Sequence, residues 1–199
     1  MKLNKKKQEV IADFLVKNEG VFSTSELQTL LQVGSKLQFY REVSKLEKEG
    51  ILTSFIRGIF VSQNPNLEVL SQRLQAKSYL SLGTALSKHM LIGSVPAKTV
   101  YAIKIGKKRK YQSTYGEIIH LGISPHLFFG FEVSNGIWMA NKEKAFLDTL
   151  YYHLKGQRYS FDIFSDIALE KLNLKIIDRY LKKYKNKKFV SFVRSFFHD

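Results

Sequence analysis

Two short helical patterns followed by a hairpin pattern, within residues 22–63, constrain the fold of this chain more than any other feature. Ser23 and Glu26 have the spacing of a capping box just before an apolar periodic run, which predicts a short helix. Ser35 is a suitable N-cap for the next helix, which ends at Gly50. A tight connection between two such helices is typical of a helix-turn-helix.

A further helix and a hairpin complete the predicted module. Asn4 precedes apolar residues at helical spacing and Gly20 supplies a stop, which predicts a first helix between these positions. Downstream, Ile51–Ile56 and Ile59–Val61 flank Arg57-Gly58 as two short strands around a tight turn. This order of elements predicts a winged helix-turn-helix, whose third helix enters the DNA major groove while the hairpin lies along the backbone or the minor groove.

The third predicted helix has an apolar side and a polar side. We predict that the apolar side is buried. The aromatic Phe39 lies on the other side, where it either touches a thymine methyl group or packs under the hairpin, and packing is the favoured interpretation. The apolar side comprises Leu37, Tyr40, Val43 and Leu46, and the other side carries Lys36, Gln38, Phe39, Arg41 and Lys45.

The polar side of this helix carries groups suited to DNA. Ser35 and the first helical turn present backbone N–H groups to a phosphate, and Gln38 can pair with an adenine edge. Arg57 at the hairpin tip suits a phosphate or a narrow minor groove. Small winged-helix modules also serve as protein-interaction domains, so that alternative stays open. The predicted DNA-binding residues are Ser35, Lys36, Gln38, Arg41, Lys45 and Arg57.

A turn at Asn64-Pro65-Asn66 marks a domain boundary, since proline lacks a donor and asparagine favours turns. We predict a winged-helix domain over residues 1–63 and a larger, basic α+β domain over residues 67–199, with a small sheet and C-terminal helices. Its predicted strands are Thr99–Ile105, Gly116–Leu121, Leu127–Val133 and Ile137–Met139. Its predicted helices are Leu67–Ala76, Tyr79–Leu91, one capped by Asn141, Phe161–Leu172, Leu174–Tyr184 and Lys188–Phe197.

The charge of the chain indicates a polyanionic partner. The 199 residues carry a formal net charge of +15, and most of the excess lies after Gln63. Nucleic acid is the leading partner class. The alternative explanation is that the positive charge only reflects a lysine-rich proteome. Two lysine clusters are candidate DNA backbone contacts, solvated loops or docking sites for an acidic protein. They comprise Lys107, Lys108, Arg109 and Lys110, and then Lys182 and Lys183.

Several classes of function are disfavoured. Cysteine is absent, which excludes disulfides, thiolate metal sites and cysteine nucleophiles. No apolar run approaches the ~20 residues of a membrane span, and the basic N-terminus lacks a signal-peptide core, so we expect a cytoplasmic protein without membrane contact.

Candidate catalytic residues are also lacking. No two histidines have the spacing of a helical metal site, and neither a phosphate-binding glycine loop nor a serine elbow is present. Glu143 and Asp148 point in different directions on one predicted helix, where helix capping and charge placement explain them better than catalysis. We predict that the protein is not an enzyme and has no catalytic residues, no metal and no cofactor.

Three segments follow the winged-helix pattern in a suggestive order. They are "SYLSLGTALSKHMLI" from Ser78, "TVYAI" from Thr99 and "MANKEKAFLDTLYY" from Met139. Together with that pattern they resemble the AbiEi family, the antitoxins of the AbiE bacterial toxin-antitoxin systems, over most of the chain. The most specific pieces are Gly83–Leu86 and Glu143–Asp148, and the glycine at position 83 departs from the more usual serine.

The resemblance implies a type IV antitoxin that represses its own two-gene operon. Its N-terminal domain would bind inverted repeats in the promoter, which implies double-stranded DNA as partner and two copies of the protein, as a dimer or as cooperatively bound monomers. Its C-terminal domain would counter a nucleotidyltransferase-like toxin without a stable complex. A different class stays open as the alternative, namely a protein-interaction module that docks an acidic partner through its basic surface.

Overall fold

The computed structural model describes Val16, residues 19–93 and residues 98–197, and the chain divides into two compact units, residues 1–74 and 75–199. Over the described ranges it is a mixed α+β protein with seven α-helices, a three-stranded sheet and a six-stranded sheet, which confirms the predicted α+β class. The predicted first helix, between Asn4 and Gly20, falls almost wholly outside the described residues.

The first unit has two helices followed by a hairpin and a further helix. Its described elements are β1 (Val21–Ser23), α1 (Thr24–Leu31), α2 (Lys36–Lys48), β2 (Thr53–Ile56), β3 (Ile59–Val61) and α3 (Leu67–Leu74). The antiparallel sheet has the order β1-β3-β2, so β3 pairs both with its hairpin partner and with the strand that precedes the helices. The hairpin turns at Arg57-Gly58, where Gly58 has a φ of +87° that glycine adopts without steric cost.

The buried side of α2 differs from the predicted one. Phe39, Val43 and Leu46 are buried, whereas Leu37 and Tyr40 are 64% and 58% exposed. Residues spaced by three drift around a helix of 3.6 residues per turn, so four of them in succession cannot share one face. Spacings of four and three, as in the observed buried set, do keep to one face.

Phe39 lies in the core of the first unit. Its ring centroid is 6.1 Å from that of Phe60 in an edge-to-face arrangement, and Phe60 belongs to the hairpin. Packing under the hairpin, the favoured interpretation of Phe39, is therefore confirmed.

Helix α3 belongs to the first unit. Asn66 N–H donates to the Glu19 carbonyl at 2.9 Å, and Arg73 Nη1 donates to Glu26 Oε2 at 2.6 Å. These contacts tie the helix to the residues before it, and the division between units falls after Leu74. The Asn-Pro-Asn turn therefore lies within the first unit, and its first residue, Asn64, precedes the last residue of that unit by ten positions.

Glu26 joins the start of α1 to α3. It completes the predicted capping box, because Ser23 N–H donates to Glu26 Oε2 at 2.7 Å and Ser23 Oγ accepts from Glu26 N–H at 3.3 Å. Burial alone raises the pKa of this carboxyl, but the hydrogen bonds from Arg73 and Ser23 outweigh burial. The net pKa lies below the ordinary value of 4.5.

We expect Glu26→Gln to lower the free energy of unfolding by about 1 kcal/mol at neutral pH, because the capping and ion-pair contacts weaken. The folded state favours the ionised carboxylate. Its contribution is therefore present above the unfolded-state pKa and is lost as pH falls through the lower folded-state pKa. Urea unfolding at neutral and acid pH measures the difference, with the exposed Glu170→Gln as control. A wild-type advantage that does not shrink in acid would contradict the assignment.

The second unit is built on a mixed six-stranded sheet in the order β6-β7-β5-β4-β9-β8. Strands β5 and β7 are parallel, as are β4 and β9, and the other neighbours are antiparallel. The sheet is larger than predicted, because two strands form where the sequence predicts a helix start and a charged cluster. The strands are β4 (Ser78–Leu80), β5 (Thr99–Ile105), β6 (Arg109–Ser113), β7 (Gly116–Ile123), β8 (Phe131–Ser134) and β9 (Ile137–Ala140).

Four α-helices accompany this sheet in the described residues. They are α4 (Leu82–Lys88), α5 (Lys142–His153), α6 (Leu174–Leu181) and α7 (Lys187–Arg194). Helix α5 packs against the other three and is buried continuously from Glu143 to Leu150. Asn141 caps α5 as predicted, and its side chain accepts from Lys144 N–H at 2.9 Å. Within residues 19–93 and 98–197, no helix has both the length and the apolar character to cross a bilayer.

The segment Phe161–Leu172 is not the helix that its apolar pattern predicts. It is irregular except for a 3₁₀ turn at Leu169–Lys171. Asp162 Oδ1 accepts from Phe164 N–H at 2.7 Å and from Ser165 N–H at 3.1 Å. A side chain that accepts hydrogen bonds from nearby backbone N–H groups competes with helix formation, which explains why the predicted helix does not form.

Candidate nucleic-acid interface

Ser35 fixes the start of α2. Its backbone is extended, and its Oγ accepts from Gln38 N–H at 3.2 Å. Phe39 and Val43 hold the following turns against the core. The N-terminus of α2 is thus positioned by its cap and by the core and lies at the surface, where its free N–H groups favour an anion.

The predicted DNA-binding side chains of α2 lie in solvent at its N-terminal half. Ser35, Lys36, Gln38 and Arg41 are all exposed. In the part of the chain that the structure describes, neither Lys36 nor Arg41 has a carboxylate partner. Their charges are therefore available to an external anion.

Lys45 differs from the other cations of α2. Its Nζ is 2.6 Å from Glu42 Oε1, and its side chain is 44% exposed. Glu42 offsets part of its charge, so Lys45 contributes less than Lys36 or Arg41 to a positive field at this surface.

Arg57 is exposed at the tip of the hairpin. The carbonyl of the next residue, Gly58, accepts from Thr24 N–H at 3.1 Å, which ties the hairpin turn to the first residue of α1. The turn that carries Arg57 therefore has a defined position within the first unit.

The first lysine cluster lies at the connection from β5 to β6 in the second unit. Lys107 and Lys108 lie in the irregular connection between β5 and β6, Arg109 and Lys110 begin β6, and all four are exposed. Lys110 Nζ lies 2.5 Å from Glu117 Oε1 on the neighbouring strand, so its charge is partly offset. Arg109 and Lys110 are strand residues, whereas Lys107 and Lys108 lie in an exposed irregular connection, as the solvated-loop alternative predicts.

Hydrogen bonds from a buried lysine hold the connection that carries this cluster. Lys104 is buried, and its Nζ donates to the carbonyls of Ile105 at 2.8 Å and Lys107 at 3.2 Å. Gly122 of β7 lies so close that a Cβ there would be 1.8 Å from the Gly106 carbonyl oxygen. Glycine at position 122 therefore permits the connection between β5 and β6 to pack closely on β7.

The second cluster follows α6. Lys182 and Lys183 are both exposed. Lys183 Nζ lies 4.1 Å from the ring centroid of Phe129, a cation–π distance that holds the side chain against the surface. Lys182 is the less constrained of the two.

A buried ionic network inside the second unit was not predicted. Lys144 and Asp148, four residues apart on α5, form an ion pair in which both side chains are fully buried. Asp148 Oδ2 also accepts from Ser81 Oγ at 2.8 Å and from Tyr79 Oη at 3.1 Å. Lys144 Nζ donates to Tyr184 Oη at 3.3 Å, so every member of the network has a polar contact.

Burial dominates the ionisation of this network. It raises the pKa of Asp148, while the Lys144 ammonium and the hydroxyl donors oppose that rise. Burial likewise lowers the pKa of Lys144 against the attraction of Asp148, and it raises the pKa of Tyr79. The signal in the sequence was the spacing of four residues between a lysine and an aspartate within an apolar helical stretch.

Glu143 lies apart from this network although it is on the same helix. Its Oε1 accepts from Asn173 N–H at 3.0 Å, next to the start of α6, and its side chain is buried. Capping and charge placement therefore describe Glu143 well, as predicted. For Asp148 the environment is instead a buried ion pair.

A solved structure resembles this chain in fold. The crystal structure of the RV2827C protein from Mycobacterium tuberculosis matches it with a TM-score of 0.60 at 12% sequence identity, over 91% of this chain and 72% of that chain. At this identity the likeness concerns the fold alone. No protein-family model matches the chain, and no curated protein sequence does.

Proposed function

We propose that this protein is a DNA-binding transcriptional regulator whose first unit is a winged helix-turn-helix. The observation that carries the proposal is the exposed N-terminal half of α2, where Lys36, Gln38 and Arg41 lie free on a helix anchored by its opposite side. An α-helix fits the major groove of B-DNA, which is about 12 Å wide.

The order of elements in the first unit supports this proposal. Helices α1 and α2 are followed by the β2–β3 hairpin, and β1 joins the hairpin in one sheet. In a winged helix-turn-helix this order makes α2 the recognition helix. The hairpin turn with Arg57 would lie along the DNA backbone or in the minor groove.

Each exposed side chain has a role in the proposed complex. The N-terminus of α2 at Ser35 binds a phosphate, and Gln38 pairs with an adenine edge. Lys36 and Arg41 contact phosphates or a guanine edge. Lys45, partly offset by Glu42, contributes a weaker backbone contact.

The AbiEi resemblance makes this proposal more specific. We propose an antitoxin that binds its own promoter in two copies and opposes a nucleotidyltransferase-like toxin without a stable complex. The segments that carry the resemblance, Gly83–Leu86 and Glu143–Asp148, lie on α4 and α5, which pack together in the second unit. Both segments are buried there.

The proposal is tested with the DNA immediately upstream of the gene. We expect the protein to bind this duplex about 1,000-fold or more tightly than a scrambled duplex of equal length at physiological salt. Electrophoretic mobility shifts over a range of salt concentrations measure both affinities. Equal affinity for the two duplexes would contradict sequence-specific binding and would leave only the non-specific attraction of a basic protein to phosphates.

The first lysine cluster is expected to add backbone contacts. Lys107→Ala with Lys108→Ala should lower the affinity for upstream and scrambled duplexes by the same factor and reduce the salt slope by about two units, because phosphate contacts carry no sequence information. Lys142→Ala with Lys175→Ala removes two exposed lysines outside the clusters and serves as the charge-matched control. An effect equal to that of the control would remove the cluster from the DNA interface.

A further inference from the structure

Leu37 is an apolar side chain on the outermost face of α2. It is 64% exposed. Successive residues of an α-helix are separated by about 100°, which places Leu37 in line with Arg41 and Ser44 and opposite the buried side of the helix. The two side chains that follow it in this line are exposed as well.

The surroundings of Leu37 distinguish it from an ordinary exposed leucine. Single exposed leucines are common and need no explanation. Leu37, however, is the second residue of α2 and lies beside Lys36, Gln38 and Arg41. In the described part of the chain it does not belong to the core cluster of the first unit. It is thus an apolar group beside exposed polar and cationic side chains, and Tyr40, 58% exposed, is the other large apolar side chain exposed on α2 in the described residues.

Among the chemical groups in the major groove, one is apolar. The C5-methyl group of thymine lies beside the hydrogen-bonding edge of its partner adenine, and aliphatic side chains make van der Waals contact with it. Gln38, adjacent to Leu37, is suited to that adenine edge. Leu37 and Gln38 project about 100° apart from the first turn of α2, and together they offer an apolar contact for a thymine methyl group and a hydrogen-bonding group for an adenine edge.

We propose that Leu37 determines specificity by packing on a thymine methyl group in the DNA site. This inference rests on the proposed function and deepens it, since it names the base that α2 selects. It also favours DNA over RNA, because uracil lacks the methyl group.

The test uses the upstream duplex prepared either with thymine or with deoxyuridine in its place. We expect wild-type protein to bind the thymine duplex about fourfold more tightly for each methyl group contacted, from the usual value of burying one such group. Leu37→Ala should bind both duplexes equally. Leu154→Ala removes a leucine that is 49% exposed outside α2 and should retain the wild-type preference.

Each other result overturns the inference in a distinguishable way. If wild type prefers the upstream over the scrambled duplex but binds its thymine and deoxyuridine forms equally, Leu37 contacts no methyl group and the proposed function stands. If Leu37→Ala keeps the preference for thymine, another residue makes the contact. If wild type does not prefer the upstream duplex at all, the proposed function fails together with the inference.

Discussion

Lys36→Ala combined with Arg41→Ala is expected to weaken binding to the upstream duplex by roughly 100-fold or more, since each direct contact contributes about 1–3 kcal/mol. Both side chains are exposed on α2, and in the described residues neither is neutralised by a carboxylate. If both contact phosphates, the salt slope falls by about two units as well. Fluorescence anisotropy with a labelled duplex measures the affinity at several salt concentrations.

Lys45→Ala is the matched control for this pair on the same helix. Glu42 already offsets the charge of Lys45, so its removal should weaken binding less than removal of either Lys36 or Arg41. Urea unfolding should show nearly unchanged stability in the double variant and in Lys45→Ala, because these positions are at the surface. A larger loss from Lys45→Ala than from the double change would place the DNA elsewhere on α2.

Asp148→Ala is expected to destabilise the second unit by about 3–5 kcal/mol, because it leaves the Lys144 ammonium buried without a counterion. Ser81 and Tyr79 also lose their acceptor. Urea unfolding, monitored by near-ultraviolet circular dichroism of the aromatic residues around α5, measures the loss.

A double variant separates the ionic contribution from packing. Lys144→Met with Asp148→Leu removes both charges, and Met has nearly the volume of Lys while Leu has the branching of Asp, so the double variant should be clearly more stable than Asp148→Ala alone. It should still fall below wild type by about 1 kcal/mol for each hydroxyl left without its acceptor. If Asp148→Ala costs under about 1 kcal/mol, the buried pair is not the stabilising element that its geometry indicates.

Local signals predicted the elements of the first unit well. The Ser23–Glu26 capping box, the Ser35 cap and the Arg57-Gly58 turn each depend on a few neighbouring residues, and the structure contains all three. Strand β1 was missed because three residues are too few for a pattern and its pairing partner, β3, lies far along the chain. The sequence predicts the wrong buried side of α2, because residues spaced by three drift off one helical face.

The second unit was less predictable because its structure depends on contacts distant in sequence. Strand β6 is polar and charged, and it forms through its pairing with β7. The Lys144–Asp148 pair depends on groups from Ser81 and Tyr184 that no local pattern connects. The exposure of Lys36, Gln38 and Arg41 follows from their polarity, whereas that of Leu37 requires knowledge of which side of α2 is buried.

The central claim is that the exposed N-terminal half of α2 occupies the major groove of the upstream DNA. Dimethyl sulfate tests it directly, since it methylates guanine N7 in the major groove and adenine N3 in the minor groove. We expect wild-type protein to protect guanine N7 within a defined site and the Lys36→Ala, Arg41→Ala variant to lose that protection. Protection confined to adenine N3, or an N7 pattern that the double change leaves intact, would contradict the claim.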